Sequence, residues 1–387
     1  MDKDNKQLMI EFDVQCDNQS DSEDLANINS SNIIVYARDW TIETIYSQIS
    51  LGNIDLNPKF QRRNAWTDEK RSKLIESIIM GYPVPEIVLA ENPEKKRSFI
   101  VIDGKQRLLT LAGFINNQKY SYWDKDKLSS LKVCNKLNGT SYDRLDDDTK
   151  REFENSSLRC TVITGFSDIQ VLYDIFYRLN SGSVSLSTQE LRQSLIRGEF
   201  ADYLIDITNS LQPIHKVMNL DGPDKRLRDI ETLLRVFSFG LYPNEYKGNL
   251  KKFLDDKMNT ININWNEIEI TIKQLYCKIN LAIELLKEIF GDYTCIGRKF
   301  ENGSFLSRFN KVIFEVELFY FMHLDRTILK DKDKFIDNYK ELCSNDSDFR
   351  DSIERSTKNL EYYKIRYSKF QELINNSFEK PLFINPF

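Results

Sequence analysis

Histidine is nearly absent from this sequence: His215 and His323 are the only two among 387 residues. The first stands in QPIHKV and the second in YFMHLD, on a helix predicted to be apolar, and neither is spaced from other ligand residues as a metal centre requires. This scarcity excludes a metal site built on closely spaced histidines. The apolar residues around His323 predict a core or half-buried position for it.

Cysteine patterns and long apolar runs are missing as well. The six cysteines, at positions 16, 134, 160, 277, 295 and 343, contain no CxxC pair and are too sparse for a disulfide scaffold. No run approaches the roughly 18 uncharged apolar residues of a membrane-spanning helix, and the N-terminal MDKDNKQLMIEFD is acidic where a signal peptide would be basic. We therefore expect reduced core cysteines in a cytoplasmic protein that has no membrane partner.

The chain also lacks an excess of positive charge, since its formal net charge is −5. Residues 1–24 hold eight acids against Lys3 and Lys6, so this segment carries −6 and the remainder is close to +1. Any contact with DNA must therefore come from local basic patches rather than from a global field. For residues 1–30 the composition predicts an acidic, disordered tail.

Short apolar runs and helical periodicities are what the chain does contain. Helices are predicted from Thr41 and from Thr67, and Thr67 is an N-cap candidate. Strands are predicted at 32–40, 86–91, 98–102 and 158–166. From residue 168 onward the patterns are helical, and no internal repeat or low-complexity linker interrupts them. We predict an α+β fold, with a small sheet in a domain at 31–195 and an all-helical domain at 196–387.

The stretch SFIVIDGKQRLLTLAGFI, at 98–115, places two cations where a helix is predicted to begin. An apolar strand ends at Asp103, an N-cap candidate, and Gly104 supplies a permissive turn. Lys105 and Arg107 then occupy the positive end of the helix dipole, where each cation is disfavoured by roughly 0.3–1 kcal/mol. A phosphate at this helix start would reverse that penalty. The alternative is a plain helix start with solvated charges.

Three further polar clusters lie beside predicted elements. Residues 57–63, NPKFQRR, present Gln61 and Arg62, whose planar groups suit a phosphate or a base edge, although a solvated loop explains them too. Residues 176–183, FYRLNSGS, contain Arg178 and Asn180 in what is otherwise an ordinary turn.

The cluster at residues 176–183 leads into a predicted helix start. The third cluster, at residues 225–231, lies on a predicted helix. Ser187 and Glu190 form a predicted capping box for the helix that follows residues 176–183. Residues 225–231, KRLRDIE, predict a helical ion-pair network among Arg226, Asp229 and Glu231.

In order along the chain, FQR...W, VIDGKQRLLTL, FYRLNSGSVSLSTQELR, RLRDIETLLR and SRFNKVIFE resemble the bacterial family called domain of unknown function 262. This is the N-terminal, DGQQR-motif part of GmrSD-type modification-dependent restriction systems. The likeness covers roughly residues 35–320, and the DGxQR element in its strand–helix setting is its specific part. The resemblance implies a ParB- and sulfiredoxin-like first domain with a nucleotide pocket. The chain departs from the family at Lys105, where glutamine is usual, which puts nucleotide preference and hydrolysis in doubt.

Within the pocket that the resemblance implies, physical chemistry suggests roles for individual residues. Asp103 and Gln106 would be catalytic: Asp103 would hold a divalent ion or the attacking water, and Gln106 would orient a water or a phosphate. The expected nucleotide- and phosphate-binding residues are Gly104, Lys105, Arg107, Gln61, Arg62, Arg178 and Asn180. Asp103 as an N-cap alone is the competing interpretation.

The function implied is nucleoside triphosphate hydrolysis, with Mg²⁺, coupled to DNA recognition or cleavage in bacterial restriction or anti-phage defence. Because no histidine-based HNH nuclease pattern is present, a separate nuclease or defence subunit would cut DNA, with weak endonuclease activity of this chain as the alternative. Two other function classes stay open: a non-catalytic DNA-binding or regulatory module, and a protein-interaction scaffold. The sequence does not determine the base, the modification state of the DNA or the oligomeric state.

Overall fold

The computed structural model describes residues 33–56, 66–92, 95–166, 171–172, 175, 187–355, 358–379, 382–384 and 386–387. These residues divide into two compact units. The first consists of the described residues of Ala26–Leu195 together with Lys225–Leu227, and the second of Ile196–Asp224 with those of Arg228–Phe387. The first unit contains a four-stranded sheet with helices and the second is largely helical, so the predicted α+β class is confirmed.

The elements of the first unit follow the apolar patterns closely. They are β1 (Ile34–Thr41), α1 (Ile42–Ser50), α2 (Asp68–Ile79), β2 (Ile87–Glu91), β3 (Phe99–Asp103), α3 (Lys105–Ile115), α4 (Asn117–Tyr120), α5 (Asp147–Asn155), β4 (Ser157–Thr164) and α6 (Thr188–Leu195). Each predicted strand is confirmed to within two residues. Helix α1 begins directly after Thr41, close to the predicted start, and the Thr41 side chain caps it.

The sheet has the order β1-β4-β2-β3 and is mixed. Strand β4 runs antiparallel to β1 and parallel to β2, while β2 and β3 are antiparallel. The register of the β2–β3 pair shifts between Val88 and Leu89, so that Val88 lies opposite Asp103. A bulge changes the direction of the side chains beside it. This one lies where β3 ends and the turn before α3 begins.

Strand β2 is buried on both faces. Ile87 and Leu89 belong to a large core that is shared with residues of α1, α2, α3 and α5. Val88 and Ala90 point to the other face of the sheet, where they form a smaller core with Leu191 of α6. Burial on both sides explains why the central strands read as uninterrupted apolar runs rather than as an alternation.

Helix α2 is anchored at its start. The Thr67 hydroxyl accepts the Lys70 backbone N–H, which confirms the predicted cap. The Trp66 ring lies 4.5 Å from Lys70 Nζ. Asp68 accepts a bond of 2.5 Å from Arg71 Nη1, and its carboxylate also accepts two backbone N–H groups of the chain that follows α4. One carboxylate thereby fixes an irregular stretch on the helix.

The second unit is built from helices with one small hairpin. Its elements are α7 (Glu199–Ile207), α8 (Pro213–Val217), α9 (Arg228–Leu241), α10 (Leu250–Ile263), α11 (Trp265–Phe290), β5 (Phe300–Glu301), β6 (Ser304–Phe305), α12 (Lys311–Phe321), α13 (Lys332–Asn345), α14 (Ser347–Glu354) and α15 (Leu360–Ser377). The hairpin departs from the predicted all-helical domain. Its turn is Asn302-Gly303, both at positive φ, which is a common pair in tight hairpins.

The predicted ion-pair network among Arg226, Asp229 and Glu231 is wrong. Helix α9 begins at Arg228, so Arg226 precedes it rather than lying on it. Asp229 is fully buried and accepts a 2.9 Å bond from His215 Nε2, and Glu231 pairs with Lys311 at 3.1 Å.

The cysteine and histidine predictions are confirmed in part. Cys160 and Cys343 are buried, but Cys277 is exposed, and the described cysteines form no disulfide; Cys16 lies outside the described residues. His323 is exposed, contrary to its prediction as a core or half-buried residue, although partial desolvation lowers the pKa of its imidazole. None of the helices in the described part of the chain has the length and apolarity needed to cross a bilayer.

Candidate functional site

The DGKQR segment forms a tight link between β3 and α3. Gly104 is the N-cap residue of α3 and has φ 90° and ψ 8°, in the left-handed region. A Cβ at this position would meet Ile87 Cγ1 at 3.1 Å and Arg107 Nη2 at 3.2 Å. Glycine is therefore required both by the backbone conformation and by the close packing around it.

Asp103 is not the N-cap, contrary to one of the two sequence interpretations. Its carboxylate is 35% exposed and accepts a 2.9 Å bond from Arg107 Nη2 instead of capping the helix. Gly104 has no side chain with which to cap, and no side-chain cap bond is formed there. The first-turn amides of α3 thus keep their capacity to bind an anion, since a helix start without a cap leaves N–H groups to other acceptors.

The Arg107 side chain folds back over the turn. Its Nη2 donates to the Glu86 backbone carbonyl at 2.8 Å as well as to Asp103, and the side chain is 13% exposed. Asp103 thus supplies part of the negative charge that the cations at this helix start require. Arg107 Nε is buried and has no hydrogen-bond partner in the described part of the chain.

Gln106 is half-buried in the first turn of α3. Its Oε1 atom is buried without a hydrogen-bond partner among the described residues, while its backbone carbonyl accepts the Thr110 hydroxyl at 2.7 Å. A buried polar atom with no partner costs about 1–3 kcal/mol. Gln106 Oε1 is therefore an acceptor, and Arg107 Nε a donor, that the motif offers to a ligand or water.

Lys105 is buried rather than presented to solvent, with 8% of its surface exposed. Burial lowers the pKa of its ammonium to about 8, and the negative charge of Glu190 opposes that shift. The sequence predicted Lys105 as a phosphate-binding cation but gave no indication of its burial.

Glu190, which the sequence predicted only as part of a capping box, also interacts electrostatically with Lys105. The predicted capping box is confirmed: Ser187 N–H donates to Glu190 Oε2 at 2.5 Å, and Glu190 N–H donates to Ser187 Oγ at 3.1 Å. Arg226 Nε lies 3.4 Å from the same carboxylate, and Ser187 Oγ donates to the Arg226 carbonyl at 2.9 Å. Burial raises the pKa of Glu190, whereas the Ser187 N–H, Arg226 and Lys105 oppose the rise.

Four predicted site residues, Gln61, Arg62, Arg178 and Asn180, lie outside the described residues. Their proximity to the turn stays a prediction. The described residues contain no cluster of three or more His, Cys, Asp or Glu side chains that would hold a metal ion. Asp103 alone is therefore the carboxylate that the turn itself offers to a divalent cation.

Comparison with known proteins bears on the same segment. Residues 42–197 match the family model described as the GmrSD restriction endonuclease, N-terminal domain. The match begins at α1 and extends just past α6, so it includes the whole DGKQR turn. No curated protein and no solved structure matches the chain significantly. Residues 42–197 thus belong to the family of GmrSD restriction endonuclease N-terminal domains, which are components of restriction systems.

Proposed function

We propose that the DGKQR turn binds the phosphates of a nucleoside triphosphate and that the protein hydrolyses this nucleotide, with Mg²⁺, within a restriction system. Hydrolysis would accompany DNA recognition or cleavage, with a separate nuclease subunit making the cut. One observation carries the proposal: an uncapped helix start, entered through a left-handed glycine, lies directly beside the Arg107 guanidinium. Membership of residues 42–197 in a restriction-system family supports the biological setting.

The phosphate would bind at the start of α3. Backbone N–H groups and the helix dipole favour an anion there, and Arg107 adds a planar donor group. Two of its bonds already hold the guanidinium against Asp103 and the Glu86 carbonyl, so it is positioned before a ligand arrives. This arrangement reduces the entropy lost on binding.

Gln106 and Asp103 have different proposed tasks. The unpartnered Gln106 Oε1 is an acceptor suited to orient an attacking water, as a glutamine does in several nucleotide hydrolases. Asp103 is partly exposed and would contribute one ligand to Mg²⁺. Mg²⁺ commonly takes one or two protein carboxylates and fills its shell with phosphate oxygens and water, so a single carboxylate fits an ion that arrives with the nucleotide.

The test is thermal denaturation and phosphate release with each of the four ribonucleoside triphosphates and Mg²⁺. A ligand that binds only the folded state stabilises it by about 2.7 kcal/mol at a concentration 100 times its Kd. We expect one nucleotide to raise the melting temperature of the wild type and to be hydrolysed. Arg107→Ala should abolish both effects.

A matched control separates binding from stability, because Arg107 also holds the β3–α3 turn. Arg71→Ala removes another buried arginine that is paired with an aspartate on its own helix, outside the turn. This variant should melt earlier than the wild type yet keep the full nucleotide-induced shift. Loss of the shift in both variants, or its retention in Arg107→Ala, would contradict the phosphate role of Arg107.

If no nucleotide stabilises the protein, the turn would bind DNA phosphates instead. Backbone binding weakens steeply with salt and needs neither nucleotide nor Mg²⁺. Fluorescence anisotropy with a labelled duplex at several salt concentrations distinguishes this non-catalytic module from the hydrolase. Stable co-purification of another subunit, without binding of nucleotide or DNA, would favour the scaffold.

A further inference from the structure

Strand β1 forms one outer edge of the four-stranded sheet, and among the described strands it pairs only with β4. A sheet edge presents a row of backbone N–H and C=O groups to which a further strand can bind. At eight residues β1 is longer than a typical strand, and its sequence, IVYARDWT, contains no proline or glycine that would hinder such pairing. The outer edge of β1 is therefore an open binding surface.

The β1–β4 register shows which backbone groups lie on that edge. The Ile42 N–H donates to the Ser156 carbonyl, which continues the antiparallel ladder by one pair. Because hydrogen-bonded and non-hydrogen-bonded pairs alternate in such a ladder, the even-numbered residues of β1 bind β4 and the odd-numbered ones point outwards. We call the outward N–H and C=O groups of Val35, Ala37 and Asp39 the β1 edge. No residue in the described ranges forms a backbone hydrogen bond with them.

The side chains beside the β1 edge define what would bind there. Val35 is 58% exposed and Ala37 is exposed, and both lie on the face of the sheet that Ile163 shares with the smaller core. On the opposite face Arg38 is exposed, with its guanidinium 5.0 Å from the Tyr36 ring, and it forms no ion pair within the described part of the chain. A matching strand thus needs apolar side chains on one face and a carboxylate on the other.

A second copy of β1 does not supply that carboxylate. Two-fold symmetry pairs two such edges antiparallel, with odd-numbered residues facing odd-numbered ones and even-numbered residues facing even-numbered ones. The even-numbered residues of β1 are Ile34, Tyr36, Arg38 and Trp40, and none of them is acidic. Asp39 lies on the other face of the sheet, away from Arg38 of a second copy.

The N-terminal segment of the same chain has the required pattern. Residues 10–14, IEFDV, alternate apolar and acidic side chains, which is the pattern of a strand with one apolar face. They are a local exception within residues 1–30, whose composition as a whole predicts disorder. Residues 15–33 connect them to β1 and are long enough to return the chain along its edge. Because both segments belong to one chain, the effective concentration at the edge is on the order of millimolar.

We propose that residues 10–14 bind along the β1 edge as an antiparallel fifth strand of the sheet. The facing pairs are Phe12 with Ala37, Val14 with Val35, and Glu11 with Arg38. The outward N–H and C=O groups of the β1 edge then bind backbone groups of the added strand. A shift of register by one residue would instead bring the acidic side chains to the face that holds Asp39 and the apolar ones to the face of Arg38. The proposal does not depend on nucleotide binding.

Residue-resolved hydrogen–deuterium exchange of the full chain tests the proposal through this alternation. The N–H groups of Val35, Ala37 and Asp39 should exchange slowly in the wild type and about tenfold faster or more in Phe12→Glu, which places a charge where an apolar side chain packs. Those of the even-numbered residues of β1 should not change, because β4 binds them. Gln19→Glu, which adds the same charge elsewhere in the N-terminal segment, should exchange as the wild type does.

Three results of the exchange experiment would overturn the proposal. The first is fast exchange of the odd-numbered N–H groups in the wild type. The second is slow exchange that persists in Phe12→Glu, because another segment would then cover the edge. The third is slow exchange that appears only as the protein concentration rises, which would assign the edge to a second copy.

Disulfide formation in the variant Phe12→Cys/Ala37→Cys tests the register. Facing residues of a hydrogen-bonded antiparallel pair have Cα atoms about 5.5 Å apart, which is within the range of a disulfide. Cys16 is the internal control, because a shorter stretch of chain joins it to position 37 and a random segment would cross-link it at least as often. We expect the mapped disulfide to join positions 12 and 37. An equal or greater yield between positions 16 and 37 would contradict the register, and none of these results bears on the nucleotide assay.

Discussion

Gly104 is the residue on which the β3–α3 turn depends most directly. We expect Gly104→Ala to lower the free energy of unfolding by about 1–3 kcal/mol, since a left-handed φ costs a non-glycine residue roughly 1 kcal/mol and the new Cβ must displace its neighbours. Ile87 Cγ1 and two atoms of the Arg107 guanidinium lie within 3.1–3.3 Å of that Cβ. Urea denaturation of both proteins measures the loss.

Gly81→Ala is the matched control for this substitution. Gly81 has φ +66°, but a Cβ there would meet nothing within 4 Å. It should therefore lose only the backbone component, about 1 kcal/mol. Equal losses in the two variants would show that packing around Gly104 contributes nothing.

Because Lys105 is buried, we expect the free energy of unfolding to change with pH in the alkaline range. Burial lowers its pKa from 10.5 to about 8 in the folded protein, so between these values the unfolded chain binds more protons than the folded one. The free energy of unfolding therefore rises with pH across this window, by up to about 3 kcal/mol. In Lys105→Gln this rise should be absent, as urea titrations at several pH values from roughly 7 to 10.5 would show.

The control for the pH experiment is Lys73→Gln, at an exposed position of α2. Because that lysine is not buried, its removal should leave the pH dependence parallel to that of the wild type. If Lys105→Gln is also parallel to the wild type, Lys105 is not held in a desolvated position.

At the scale of elements, α2 illustrates how one side chain fastens a helix to its surroundings. Asp68→Ala should cost about 3–5 kcal/mol, because it leaves the buried Arg71 guanidinium without its carboxylate partner. It also removes the acceptor of the Asp124 and Lys125 N–H groups. Thermal or urea unfolding checks this value.

An exposed pair of the same spacing provides the comparison. The side chains of Asp148 and Arg151 on α5 are 85% and 70% exposed. An exposed ion pair is worth only about 0–1 kcal/mol, so Asp148→Ala should change stability by less than that. A similar cost for both substitutions would mean that burial of Arg71 is not the source of the effect.

The elements themselves were predictable where one local rule decides them. Apolar spacing identified β3 and α3, and cap chemistry identified the start of α2 at Thr67 and the capping box of Ser187 and Glu190. The N-cap of α3 was open between two interpretations, because Asp103 is a good cap in isolation. Its carboxylate binds Arg107 instead.

What the sequence could not predict are contacts between distant segments. Glu190 acts on Lys105 from 85 positions away, and no local pattern signals that approach. Arg226 reads as part of the helix that follows it, yet Lys225–Leu227 returns to the first unit, where Arg226 joins Ser187 and Glu190. The β2 register shift opposite Asp103 likewise has no marker in the sequence.

At the scale of the whole molecule, the uneven distribution of charge bears on any contact with DNA. Residues 1–24 carry −6 in a chain of net charge −5. Deleting this segment should tighten nonspecific DNA binding, most strongly at low salt, because the remainder is close to +1 and no longer repels phosphates. Fluorescence anisotropy with a labelled duplex at two salt concentrations measures the change.

A full-length variant distinguishes the charge of residues 1–24 from the space that they occupy. In this variant the eight acids of the segment are replaced by their amides. It should bind DNA at least as tightly as the deletion variant does. If only the deletion tightens binding, the segment acts by occupying space rather than by its charge.

The distribution of tryptophan gives the molecule an optical signal of its own. Trp40, Trp66 and Trp123 lie in the first unit and Trp265 in the second. A Trp265→Phe protein would therefore emit tryptophan fluorescence from the first unit alone. Trp66, held beside Lys70, directly follows residues 57–65, which include Gln61 and Arg62. Its quenching or spectral shift on adding a ligand would report on that segment in solution without any attached dye.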